Sequence, residues 1–130
     1  MSMYGVDYLQ AQRDVTAAFI ADDPTTAVLI PSTRTRTASG GYTMVDGAPR
    51  DPQTFKLSLL AYDQRPAVTL AGVERIADYH LIGPHDMQIA VGDWWTDDNG
   101  TSFEVIGFTE GWDYMTKAFV SRRIPREARP

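Results

Sequence analysis

His80 and His85, with Asp78 and Asp86 close by, form the one grouping in this sequence of the kind that binds metals or moves protons. The two histidines are five residues apart across Gly83-Pro84. That spacing matches no standard ligand motif, and a metal site would need a further ligand brought from elsewhere. Structural or surface histidines are the expectation. Asp97-Asp98-Asn99-Gly100 invites a calcium reading, but setting Gly100 at the sixth position of an EF-hand loop puts Trp95 at the first, where a carboxylate is required. The segment reads as a turn. Ser39-Gly40-Gly41 would suit a phosphate cradle if a helix followed, yet Tyr42-Thr43-Met44-Val45 follows, with no Lys-Ser/Thr pair. No serine has the Gly-x-Ser-x-Gly surroundings of a nucleophile elbow, and the chain has no cysteine. No turnover, cofactor or metal is therefore expected. A hydrolase of unfamiliar geometry around His80 and His85 is the outlying reading.

The remaining residues of interest suit binding better than catalysis. Arg34 and Arg36 lie on one side of an extended segment and can meet phosphates, a neighbour's carboxylates, or only solvent. Trp94 and Trp95 are adjacent, so on a strand they point to opposite faces and one of them needs a cover: the helix, or another subunit. Trp112 reads as a further core or rim residue of a barrel. The formal net charge is −5, which argues against a dedicated nucleic-acid binder. The charge is also segregated. Asp93, Asp97, Asp98, Glu104, Glu110 and Asp113 run without a basic residue, and Lys117, Arg122, Arg123, Arg126 and Arg129 follow with only Glu127 against them. These are either two solvated faces or complementary surfaces that meet between copies.

The elements that must position these residues are mostly strands. A chain of 130 residues with 43% apolar and 22% charged residues is expected to form one domain with a real core. Tyr8, Ala11, Val15, Ala18 and Phe19 make one apolar stripe, predicting a helix over 8–21 that Asp7 and Gln10 start and Asp22-Asp23-Pro24 ends. That stripe should dock on the rest of the protein. Thr25 to Ile30 reads as the first strand. Residues 32–52, with Gly40-Gly41, Asp46-Gly47, Pro49 and Pro52, read as a long Gly-rich loop holding at most a short strand at Tyr42, Met44 and Val45. Residues 54–121 read as a small β-barrel or sandwich. Within it Phe55, Leu57 and Leu59 face inward, strands cover 67–70 and 73–82 with a break at Gly72, and a short strand lies at 89–91. Asn99-Gly100 turns a hairpin between 94–96 and 101–108, and a last strand covers 113–121. Residues 122–130 form a basic C-terminal tail. No basic-then-apolar leader and no membrane-length apolar run is present, so a cytosol-like compartment is expected.

The order of helix, strand, Gly-rich loop and alternating strands, ending in Ile89-Ala90-Val91-Gly92-Asp93-Trp94-Trp95 and the hairpin DDNGTSFEVIGF, resembles the head-to-tail connector proteins of long-tailed bacteriophages. The likeness is to the head-closure or stopper family and spans about Val6 to Val120. It implies a virion protein at the head-tail junction, made in the host bacterial cytoplasm, whose subunits form a homo-oligomeric ring, a hexamer. Such a ring joins portal and adaptor proteins on the head side to a tail terminator or tail tube on the other. It retains packaged DNA without sequence-specific binding and touches no membrane. Carried over by position, the channel loop would hold Arg34, Arg36, Gly40, Gly41 and Tyr42. Trp94, Trp95, Asp97, Asp98, Arg122, Arg123 and Arg126 would form contacts between subunits. A tail-terminator or tail-completion ring subunit, and a small-barrel module binding a ligand or peptide through its tryptophans, are the alternatives.

Overall fold

The structure, a computed structural model, describes residues 3–70, 73–109 and 113–123. Gly72, Glu110, Trp112, Arg126, Glu127 and Arg129 lie outside the described residues. Among the described residues one α-helix, α1 (Met3–Asp22), precedes ten strands, with a single 3-10 turn at Tyr62–Gln64: β1 (Thr25–Ala27), β2 (Ser32–Arg36), β3 (Tyr42–Asp46), β4 (Gln53–Leu59), β5 (Ala67–Leu70), β6 (Val73–Ile76), β7 (Tyr79–Gly83), β8 (Trp94–Thr96), β9 (Ser102–Phe108) and β10 (Thr116–Arg123). No helix among the described residues is long and apolar enough to cross a membrane.

Six strands form one antiparallel sheet in the order β1-β4-β7-β10-β9-β8. Its two ends nearly meet. Ile30, just past β1, exchanges backbone hydrogen bonds with Trp94 of β8 at 2.8 and 3.0 Å, so the sheet curls into an almost closed barrel. Closure gives the edge strands partners and an inside for one face of each strand. Leu29, Phe55, Leu81, Met87, Trp95, Phe103, Val105, Ala118 and Val120 fill that inside, with Leu57, Tyr79 and Ile89 against them. Phe55 and Leu57 point inward as the alternation of β4 requires, whereas Leu59, at the strand end, is exposed.

Four expectations need correction. Residues 32–52 hold the short strand expected at Tyr42 to Val45, as β3, but also β2, and the two pair in register from Ser32↔Asp46 to Arg36↔Tyr42 to make a hairpin rather than a loop. Gly40, at φ +89°, takes the turn, and Gly47 N–H to Pro31 C=O at 2.7 Å closes the base. Residues 89–91 are not a strand, because Asp93 folds them into a turn by accepting from Ala90 N–H at 3.1 Å. The helix begins at Met3, so Asp7 lies inside it, and Gln10 bonds Asp14 instead of a helix start. Finally, the helix docks on β4 and β7 through a different stripe. Thr16 and Ile20 are buried, while Tyr8, Ala11, Val15, Ala18 and Phe19 are exposed. Both stripes recur at helical spacing, and only contact with the sheet decides between them.

The turn after Ala90 brings the chain against the hairpin base. Gly92 has φ +97°, and a Cβ there would stand 2.7 Å from the carbonyl oxygen of Ser32. Gly100 has φ +83° with nothing within 4 Å of a Cβ. Both alanine variants incur the left-handed backbone penalty, about 1–2 kcal/mol. Gly92→Ala adds a clash with backbone, so thermal unfolding should show a clearly lower Tm for Gly92→Ala than for Gly100→Ala. Equal values would mean that the approach to Ser32 relaxes at no cost.

Candidate interaction surfaces

Among the described residues Asp93 is the most enclosed charged residue, 1% exposed. Arg50 grips it with two hydrogen bonds, Nε to Oδ2 at 2.8 Å and Nη2 to Oδ1 at 3.2 Å. Arg50 N–H also donates to Leu29 C=O at 2.9 Å. The pair therefore clips the strand-like segment after the hairpin to both the barrel seam and the turn at 90–93. This arrangement holds structure in place, since both carboxylate oxygens are occupied.

Trp94 and Trp95 do face opposite ways. Trp95 is 2% exposed, stacked on Phe103 at 5.2 Å and edge-on to Phe55 at 5.3 Å. It is core, not an inter-subunit contact. Trp94 is covered by its own chain: its Nε1–H donates to Asp46 Oδ1 at 3.0 Å, and the Arg123 guanidinium lies 4.5 Å over the ring. The two tryptophans thus form no shared pocket for a ligand.

The charged surfaces are also arranged differently from expectation. Arg123 of β10 pairs with Ser102 of β9, which pairs with Thr96 of β8, immediately before the acidic turn. The Asp97-Asp98 turn and the Arg122-Arg123 pair therefore sit at the same end of one subunit. A head-to-tail contact needs its two halves on different sides. Several of these groups are also already engaged. Asp97 Oδ1 accepts from Asn99 and Thr101 N–H, both at 2.9 Å. Arg122 donates to Tyr79 Oη at 2.9 Å, and Glu104 is bonded by Arg75 at 3.3 Å. Asp98 is exposed.

The candidate catalytic grouping is dispersed. Asp78 accepts from Arg122 N–H at 3.0 Å and meets Arg65 at 3.5 Å, while His85 and Asp86 are exposed on the turn after β7. Among the described residues no three His, Asp or Glu side chains are placed to share a metal ion. His80 stands apart from them on β7, its ring 5.1 Å from that of Phe119.

His80 faces the feature that periodicity did not reveal. Between α1 and the outer face of β7 and β10 runs an open, mainly apolar groove of about 660 Å³. Tyr8, Val15 and Phe19 form its helix wall, and His80, Ile82 and Met115 line the other side. Lys117 enters the groove and makes no ion pair among the described residues. The stripe expected to dock is thus one wall of an open surface. Partial burial, and secondarily Lys117, hold the His80 pKa below its ordinary value of about 6.5.

The sign follows from proton counting. Between the lowered folded pKa and about 6.5 the unfolded chain binds more protons at His80. Its contribution to stability is complete above that window and declines as pH falls through it. His80→Gln should flatten the dependence of urea midpoint on pH across this window. An unchanged slope would show that His80 does not couple to folding.

The second open surface is the β2–β3 hairpin. Ser32 at its base is buried, but every residue of the two strands beyond it, Thr37 at the turn aside, is exposed, including Tyr42 at 57%, Met44 at 42% and Val45 at 46%. Strand-opposed residues share a face, so Arg34, Arg36, Tyr42 and Met44 lie together, with the Arg34 guanidinium 3.8 Å over the Tyr42 ring. Of the residues assigned to a channel loop, the structure brings Arg34 and Tyr42 into contact and puts Gly40 and Gly41 at the tip.

Fold and surfaces define a class: a small, nearly closed antiparallel β-barrel with an N-terminal helix across its outside and a β-hairpin arm standing off the seam. Compared with protein-family models and with curated proteins, the chain has no match.

Proposed function

We propose that this protein is a structural subunit of a homo-oligomeric ring, the head-closure or stopper component of a phage head-to-tail connector. The observation that carries this reading is a barrel with two separate apolar surfaces left open, an arm and a groove. Exposed apolar patches flanked by charge mark association sites. The order of elements, which resembles the connector family, supplies the setting: portal and adaptor on one side, tail terminator or tail tube on the other, packaged DNA nearby. A tail-completion ring subunit uses the same surfaces in a neighbouring position.

The test is assembly. The protein alone should be monomeric or weakly associated, and incubation with portal-adaptor complex should yield rings visible by electron microscopy. Labelling of virions anywhere but the head-tail junction would refute the role. The reading as a ligand-binding module keeps one specific observation in its favour, the groove itself with Lys117 and His80 inside. Saturable shifts of groove resonances by a small amphiphile, with the protein remaining monomeric under all conditions, would favour that reading.

A further inference from the structure

We infer that the arm of one copy occupies the groove of the next: the Tyr42 and Met44 face of the β2–β3 hairpin packs between α1 and the β7–β10 face of a second copy of this chain. The inference rests on the ring-subunit reading and names the contact that would build the ring.

Three observations lead to it. The first is that both surfaces stay open, although the Lys56 ammonium lies 3.8 Å over the Phe19 ring and the Arg34 guanidinium 3.8 Å over that of Tyr42. Val15 is 69% exposed on the helix wall and Tyr42 57% exposed on the arm, although each belongs to a well-formed element. The second is placement. The arm leaves the barrel at the seam of β1 and β8, where Trp94 holds Asp46, whereas the groove lies over β7 and β10 with α1 crossing β4 and β7. In the sheet order β4 lies between β1 and β7. The arm, five residues per strand or about 17 Å at the rise of an antiparallel strand, is therefore rooted across the barrel from its own groove. Two different patches in one contact make it heterologous, and such contacts close into rings when the rotation permits.

The third is charge. Arg34 and Arg36 share the arm's apolar face, and among the described residues neither makes an ion pair. The exposed carboxylates of α1 are Asp14, bonded by Gln10 at 2.9 Å, and Asp22, which Lys56 meets at 3.6 Å, with Asp23 next in the chain. Lys117 lies on β10, at the opposite wall. An arm seated with β2 toward α1 sets its arginines on the side of Asp14 and Asp23 and away from Lys117. The reverse seating opposes like charges, so the pattern also selects an orientation.

Because the chain has no cysteine, a double variant, Val15→Cys with Met44→Cys, reports the contact without background. Rings assembled with portal-adaptor complex and treated with a short bis-maleimide should give a ladder of covalent multimers of this chain on a denaturing gel. Mixing adds a stricter readout. Val15→Glu spoils only the groove and Met44→Glu only the arm, so each alone should lower ring yield at least about tenfold, the weight of a central interface residue. Equimolar mixing should restore paired subunits but not rings, since each pair retains one intact contact.

Rings that form without the ladder, and that tolerate both charged variants, would overturn the inference while leaving the ring reading intact. A cross-link within one chain would overturn it by showing the arm in its own groove. A cross-link to the adaptor or tail protein would overturn the choice of a second copy as occupant. Failure of the unaltered protein to form rings with any connector partner would overturn the parent reading, and this inference with it.

Discussion

Replacing Arg50 by alanine should cost about 3 kcal/mol of folding stability, the lower end of the range for breaking a buried ion pair. The lower end applies because the Arg50 side chain is 26% exposed, although the carboxylate it grips is only 1% exposed. Without the guanidinium, Asp93 keeps a single donor, Ala90 N–H, for a charge that solvent does not reach. Asp93→Ala removes that charge, leaves Ala90 N–H unpaired, and frees Arg50 to turn toward water. Its expected cost is smaller, about 1–3 kcal/mol. Arg50→Lys should fall between them, since an ammonium cannot reproduce the two-pronged contact. Urea unfolding followed by circular dichroism checks the order. If Asp93→Ala proved worse than Arg50→Ala, the clip would act by packing and backbone bonding, and its charge would be incidental.

Trp95→Ala should be at least as damaging, about 3–5 kcal/mol, because it empties the space between Phe55 and Phe103 in the middle of the barrel. A domain with a typical stability of roughly 5–15 kcal/mol would retain little of it. Trp95→Phe should be disproportionately mild. The indole Nε1 is buried with no acceptor among the described residues, and an unmet donor costs about 1–3 kcal/mol. Removing it offsets part of the lost volume. The comparison is again by urea unfolding with circular dichroism. A Trp95→Phe variant as unstable as Trp95→Ala would show that the N–H is satisfied and the whole effect is one of volume. Neither the Trp95 nor the Arg50 substitutions touch the arm or the groove wall. In surviving folded material ring assembly should therefore persist, separating stability from association.

Much of the barrel was readable along the chain. Phe55 and Leu57 point inward, because alternation reports burial on one face directly. The Asn99-Gly100 turn lies where that dipeptide predicts a hairpin, with Gly100 in the left-handed region. The pairing of opposite faces at Trp94 and Trp95 also holds. The arm was legible only in its second strand, for the complementary reason. Thr33 to Arg36 and Tyr42 to Val45 are exposed on both faces, and a strand that buries nothing has no alternation to show. Ile89 to Val91 failed in the other direction. Its apolar residues suggest a strand, but Asp93 caps Ala90 N–H and turns the chain instead.

The candidate surfaces were hardly legible at all. The charge blocks stood out in sequence, yet β8, β9 and β10 set Asp97-Asp98 and Arg122-Arg123 side by side at one end of the barrel. The groove was hidden because α1 carries two stripes at helical spacing, Tyr8-Val15-Phe19 and Thr16-Ile20, and periodicity cannot say which one meets the sheet.

The sequence by itself determined the local matters: one N-terminal helix, strands whose alternation marks an inner face, and turns where glycine relieves the backbone. Those depend on residues within a few positions of one another. The closing of the sheet at Ile30 and Trp94, the cover over Trp94, the Arg50–Asp93 clip and the open helix face were decided only in three dimensions. Each depends on groups from distant parts of the chain, and which of them meet is fixed by burial in the assembled barrel, a property no single segment carries.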